Sequence, residues 1–168
     1  MQGLLFEMWF FALIRHGDVV LNRKGQDVKF AQAIIKNLDP VSQIPVPSCS
    51  KIWFKPVKWN QGGYDAVHVD YDECLVSFVQ VTKSSKHSLK LEYFSELLSN
   101  LTLKKPETRK TRVEIIFLVP KEQVSKFKIS PVTGIGLLGC YETKSSKRWA
   151  RGKEKDLVDV LTFAKDWD

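Results

Sequence analysis

The sequence predicts an α/β protein built on a mixed β-sheet flanked by helices. Residues 64–71, 75–82 and 112–119 are short apolar runs rich in β-branched and aromatic side chains, the composition of buried strands. Helical patterns at 3–15 and 86–101 stand before and between them. The chain has 168 residues, 43% hydrophobic and 27% charged, which suits one domain that buries about two-thirds of its unfolded surface. We expect a single domain over 1–168, with a core over about 3–119 and a basic C-terminal extension over 120–168.

Residues 3–15 are helical in composition and stop at Gly17; being apolar nearly all round, this helix should be buried on more than one side. The run 19–30 is mixed, and its pattern does not separate strand from turn. Residues 31–38 read as a short helix ended by Asp39-Pro40. Pro40, Pro45 and Pro47 make 41–50 a loop, 51–57 reads as a strand, and Asn60-Gln61-Gly62-Gly63 turns the chain. The strands 64–71 and 75–82, joined through Asp72-Glu73, suit an antiparallel hairpin. Ser84-Ser85 offers an N-cap to a helix over 86–101 whose stripe is Phe94, Leu97, Leu98 and Leu101. After strand 112–119, closed by Pro120, a strand at 136–142 and a final helix at 155–167 are expected.

The net charge of +7 favours a polyanionic partner. Three cysteines, Cys49, Cys74 and Cys140, are odd in number and lack zinc spacing, so neither a disulfide scaffold nor a zinc site is expected and a reducing compartment fits. The apolar run 4–14 is too short to span a bilayer and is broken by Glu7, and no signal-peptide cleavage site follows it. No membrane partner is expected, and the chain should act inside a cell. Gly134-Ile135-Gly136-Leu137-Leu138-Gly139 matches GxGxxG, but it follows a proline-containing loop and precedes a strand pattern, so it is not a dinucleotide fingerprint.

Three residues carry the chemical interest. Glu7 sits among Leu4, Leu5, Phe6, Met8, Trp9, Phe10 and Phe11, so its carboxylate must be partly desolvated; it either reaches the helix end or an arginine, or faces the strand ends as a ligand. Asp65 either caps the turn after Gly62-Gly63 or serves as a ligand. Gln80 ends the next strand, and alternation puts it on one face with Thr82. Oxygen donors at adjacent strand ends make a seat for a hard divalent cation.

The order helix Glu7, strand Asp65, strand Gln80-Val81-Thr82, then an amphipathic helix resembles the PD-(D/E)XK restriction-endonuclease-like superfamily. In that superfamily a helix Glu precedes an Asp and then an acidic-x-Lys on consecutive strands. More narrowly, Tyr64-Asp65-Ala66-Val67, Val79-Gln80-Val81-Thr82 and His87 resemble the nuclease-like domain of Crinkler effectors and retrotransposon hot spot proteins. The resemblance covers about 3–119 and implies a restriction-endonuclease-like core and a DNA-cleaving hydrolase. It implies Mg²⁺, or Mn²⁺, held by Glu7, Asp65, Gln80 and the Val81 carbonyl. It also implies action in a nucleus, that of a host cell included, with an ATPase module or a host nuclear protein as companion. The chain has no GxxxxGK[ST] loop, so it would be the nuclease-like module of a larger protein.

Two departures stand out. Gln80 brings no charge where the superfamily has an acid, and Thr82 stands where it has a lysine. Lys90, or Lys86 one turn before it, could supply that charge from the following helix; surface lysines are the other reading of both. Lys83, Lys86 and His87 are candidate phosphate contacts, with a helix-cap role open for His87. Lys147, Arg148 and Arg151, interleaved with Trp149, form a candidate nucleic-acid surface, or a solvated loop. Three functions follow: a metal-dependent nuclease, a nuclease-like fold without chemistry that binds nucleic acid or a host protein, and an interaction protein with no nucleic-acid role.

Overall fold

The structure is a computed structural model that describes residues 2–57, 63–103 and 109–164. Its first element is the helix α1, Gln2–His16. Strands β1 (Val19–Arg23) and β2 (Gln26–Phe30) then form a hairpin. The hairpin turns on Lys24 (φ 48°) and Gly25 (φ 87°), the two positive-φ residues a tight primed turn requires. Residues 31–38, expected as a helix, hold β3 (Ile34–Leu38), paired parallel to β4 (Lys51–Pro56) across the proline-rich loop. Two consecutive isoleucines open that segment, and β-branched side chains favour the strand once a partner exists.

Strands β4, β5 (Ala66–Asp70) and β6 (Leu75–Val81) are an antiparallel meander. The 86–101 segment divides. Lys86–Lys90 is a strand, β7, and the helix α2 spans only Leu91–Asn100, entered from Lys90 without a side-chain cap. Ser84-Ser85 therefore caps no helix. The expected stripe survives in part, with Leu91, Phe94, Leu97 and Leu98 buried. Strand β8 (Arg112–Leu118) returns parallel to β6, so α2 is a crossover connection.

The C-terminal third is not the expected appendage. β9 (Lys128–Thr133) pairs with β7, and a short helix α3 (Glu154–Leu157) leads into β10 (Asp159–Phe163), which lies between β1 and β8. The expected strand at 136–142 is a series of turns, and the expected final helix at 155–167 is helical only over 155–157, in α3, before 159–163 become β10; its end at 165–167, like the turn residues 60–62, lies outside the described residues. Among the described residues the main sheet has eight strands in the order β2-β1-β10-β8-β6-β5-β4-β3.

Both faces of the sheet are covered. On one, α1 buries Phe6, Phe10, Phe11 and Ile14 against Trp53, Ala66, Val79, Ile116 and Phe163. Its outer side is open, with Leu5 and Met8 exposed, so the helix is buried on one side rather than several. On the other face α2, Leu89, Leu138 and Trp149 pack against Val67, Phe78, Ile115 and Phe117. Beyond α1, Arg23 of β1 reaches Asp159 (2.7 Å) and the buried Glu114 (3.4 Å), which also accepts the Ser77 hydroxyl at 2.8 Å. These bonds tie β1 to β8 and β10 at a level where the sheet carries polar groups.

Candidate active site at the ends of β5 and β6

β5 begins just after Asp65, while β6 runs on through Gln80 and Val81. The N–H of Val81 points where a β5 carbonyl would have been, and Asp65 Oδ2 accepts it at 2.7 Å. Asp65 keeps the ladder through its own N–H, donated to the Val79 carbonyl at 2.8 Å. The chain enters this corner through Gly63, at φ 96°, where a Cβ would come within 2.7 Å of the Tyr93 Cβ on α2. Both the backbone angle and the close helix require glycine there.

Two of the sequence-predicted residues, Asp65 and Gln80, are in contact at this corner, and the charge of a third, Glu7, reaches Asp65. Gln80 donates its amide Nε2 to Asp65 Oδ2 at 3.0 Å, and at 3.4 Å to the Val81 carbonyl. Glu7, half-buried on α1, lies within the electrostatic field of Asp65. Burial and then the nearby Glu7 charge push the Asp65 carboxyl up to about 7, against the opposing pull of the Val81 N–H. Burial likewise raises the Glu7 carboxyl, with the Lys55 ammonium pulling it back.

Lys55 is a residue the sequence reading missed. It lies on β4, two positions after Trp53, and alternation places both on the α1 face. Continuing the β4–β5 register sets Lys55 beside Ala66, the residue after Asp65. Its ammonium stands 4.5 Å from the centroid of the Phe11 ring, one helical turn along α1 from Glu7. A lysine closing the apolar run Ile52–Phe54 was the only local trace, and the run does not say which face of β4 meets α1.

The other predicted residues distribute unevenly. The Thr82 hydroxyl accepts the Ser84 N–H at 3.1 Å, a local turn that leaves β6 behind. His87 is on β7, not a helix; its ring lies 5.4 Å from that of Phe117, the register neighbour of Gln80, and its Nδ1 is 2.7 Å from the Ser88 carbonyl. Lys83 is partly buried just past the strand, and Lys86 is exposed at the start of β7 beside Lys128. Lys90 is exposed at the end of β7, about 10 Å along the strand from His87, so it is not on the α2 stripe.

Lys147 and Arg148 lie at the other end of the sheet, where Arg148 bridges Glu142 and Glu142 bridges Arg112. Arg112 and Leu118 are the two ends of β8, about 20 Å apart. Arg151 is exposed in the same C-terminal segment, and nothing brings it to Asp65. Trp149 cannot stack on a base: it is 1% exposed and its indole N–H is spent on the Val113 carbonyl at 3.1 Å.

A divalent cation fits the corner in its donor chemistry. Among the described residues, both Asp65 hydrogen bonds fall on Oδ2, leaving Oδ1 open, and the Glu7 carboxylate has no ion pair within 4.0 Å. Two desolvated carboxylates, with the Lys55 charge reaching Glu7 but making no ion pair within 4.0 Å among the described residues, suit a hard metal. They fall short of a three-residue cluster of His, Cys, Asp or Glu, of which the described residues contain none. Gln80 presents its amide nitrogen here; a half-turn of the amide would present the oxygen. No family model matches the chain, and neither does any curated protein or solved structure.

Proposed function

We propose that the chain is a metal-dependent nuclease-like domain of the PD-(D/E)XK type, acting on DNA phosphodiesters as the effector module of a larger protein. The observation that carries this reading is the contact of Asp65 with Gln80 at one strand-end corner, within the electrostatic reach of Glu7 on α1. The chain order supports it too: a helix Glu, an Asp just before β5, a Gln near the end of β6, then β7, the helix α2 and β8 parallel to β6. The net charge of +7 suits a polyanionic substrate, and the resemblance to Crinkler and retrotransposon hot spot domains suggests a nucleus as the place of action.

In this reading Glu7, Asp65 and the Val81 carbonyl hold Mg²⁺ or Mn²⁺, with Gln80 turned to give its oxygen. The ion, when bound, polarises the phosphodiester and lowers the pKa of an attacking water. Asp65 binds it in the ionised form, and the Val81 N–H fixes the carboxylate's orientation while it does so. His87, over Phe117, is placed to meet a substrate phosphate from the α2 face. The deciding experiment incubates plasmid DNA with the chain, with and without Mg²⁺ or Mn²⁺, beside Asp65→Ala. Metal-dependent cleavage that the variant loses supports the reading; equal cleavage by the variant removes it.

A second reading rests on Gln80 and Thr82. The Gln80 amide hydrogen-bonds the very carboxylate that would ligate metal, and the Thr82 hydroxyl is turned into a local bond. A fold that had lost its chemistry and bound nucleic acid or a host protein would tolerate both. Tight, steeply salt-dependent DNA binding without cleavage at any metal concentration favours this reading.

A further inference from the structure

We propose that Lys55 supplies the cationic group of this corner, its ammonium leaving the Phe11 ring to bind a non-bridging oxygen of the substrate phosphodiester. The substrate in this proposal rests on the nuclease reading above; the placement of Lys55 does not. Three observations carry it. First, strand β4 puts Lys55 on the α1 face, one register step from Asp65, flanked by the small Ala66 on β5 and by Asn37 on β3. Second, its ammonium is held 4.5 Å from the centre of the Phe11 ring, and among the described residues it has no carboxylate within 4.0 Å. A lysine whose charge reaches Glu7 without closing to an ion pair can turn to another anion, and cation–π attraction is weak enough, about 0.5–2 kcal/mol, to be exchanged for a phosphate contact.

Third, Thr82, Lys90, Lys147 and Arg148 are placed elsewhere or engaged. The Thr82 hydroxyl is engaged by Ser84, Lys90 is carried along β7 away from His87, and Lys147 and Arg148 are at the far end of β8. The long lysine stem suits the move: rotation about its carbon chain carries the ammonium several ångströms without disturbing β4.

The test compares Lys55→Met, Lys55→Arg and Lys90→Met with the unaltered chain. Two readouts are used: Mg²⁺-dependent plasmid cleavage, and the affinity of a labelled DNA duplex in Ca²⁺ and in EDTA over a range of salt. Lys55→Met should lower cleavage by about 10²-fold or more, weaken duplex affinity, and reduce the salt slope by about one, with the melting temperature kept. Lys55→Arg should retain duplex affinity, and Lys90→Met should change little. Cleavage and affinity unchanged in Lys55→Met, or lost instead in Lys90→Met, overturn the proposal while leaving the nuclease reading in place. If the unaltered chain cleaves nothing, the nuclease reading is lost and the duplex decides alone. Weaker binding by Lys55→Met then keeps Lys55 as a phosphate ligand, and equal binding removes it.

Discussion

Asp65 Oδ2 accepts the backbone N–H of Val81 at 2.7 Å, so a carboxylate side chain finishes a ladder that the β5 backbone leaves incomplete. One residue is thus asked to hold a strand end and to keep an ionisable group buried near Glu7. The two demands conflict. The carboxyl is pushed up to about 7 by burial and by Glu7, so its charged form is disfavoured in the folded chain.

That conflict fixes a stability profile. With the folded value near 7 and an unfolded value near the ordinary 3.8, the folded chain binds more protons across that window. Stability from this group is therefore greatest at low pH and falls as pH rises through 7. Asp65→Asn removes the titration yet keeps an oxygen acceptor for the Val81 N–H. Between pH 5 and 8 the unaltered chain should lose about 2 kcal/mol relative to Asp65→Asn in urea unfolding. A constant difference across that range would contradict the burial argument.

Metal binding should follow the same proton. Because the ligating form of Asp65 is ionised, Mg²⁺ must displace its proton below pH 7. We expect Mg²⁺ affinity to rise about fivefold from pH 6 to 7 and less than twofold from pH 7.5 to 8.5. Isothermal titration, or the Mg²⁺-induced rise in melting temperature, measures it. Asp65→Asn should bind weakly and without that pH dependence.

His68 titrates in the opposite sense. It lies on β5 with its ring 4.8 Å from Trp53 and 5.0 Å from Phe30, and its buried Nε2 has no hydrogen-bond partner among the described residues. Burial pulls its pKa down to about 4, below the unfolded 6.5, with Lys51 and Lys144 adding to the effect and Asp70 opposing it. The unfolded chain binds the extra proton between those values, so this contribution is complete above pH 6.5 and is lost as pH falls through 4. His68→Phe keeps the ring contacts and removes the titration. Relative to the unaltered chain, it should gain about 1–2 kcal/mol on going from pH 8 to pH 5, read by chemical denaturation.

How much of this was legible in the sequence depends on range. Strands β5, β6 and β8 were readable because each is a short apolar run whose burial is nearly continuous. The pairing of Asp65 with Gln80 followed from the hairpin, a local contact. The errors lie where tertiary partners decide. Residues 86–90 carry a helical pattern but lie against β9, a strand some forty positions later, and the strand form wins. Residues 159–163 become a strand only because β1 and β8 leave a slot between them. Lys55 was missed for a related reason, since nothing local says which face of β4 meets α1.

Glu154 gives the GxGxxG-like segment a structural purpose. The residue is 2% exposed, and its two oxygens accept the N–H groups of Gly136 and Gly152, each at 2.7 Å. It thus ties the turns at Gly134 and Gly136, both at positive φ, to the segment that feeds β10 into the main sheet. A buried carboxylate held by two backbone donors stabilises by charge-assisted hydrogen bonds that a neutral side chain cannot reproduce. Glu154→Ala should cost about 2–4 kcal/mol, since it leaves the Gly136 N–H poorly satisfied. Glu154→Gln should cost less, because one oxygen can still accept one of the two donors while its amide opposes the other. Denaturation measures the total, and limited proteolysis locates it. Faster cleavage within 134–152, with the β5–β6 corner still protected, is the expected pattern. Uniform sensitivity along the chain would mean that Glu154 holds the whole fold rather than this junction.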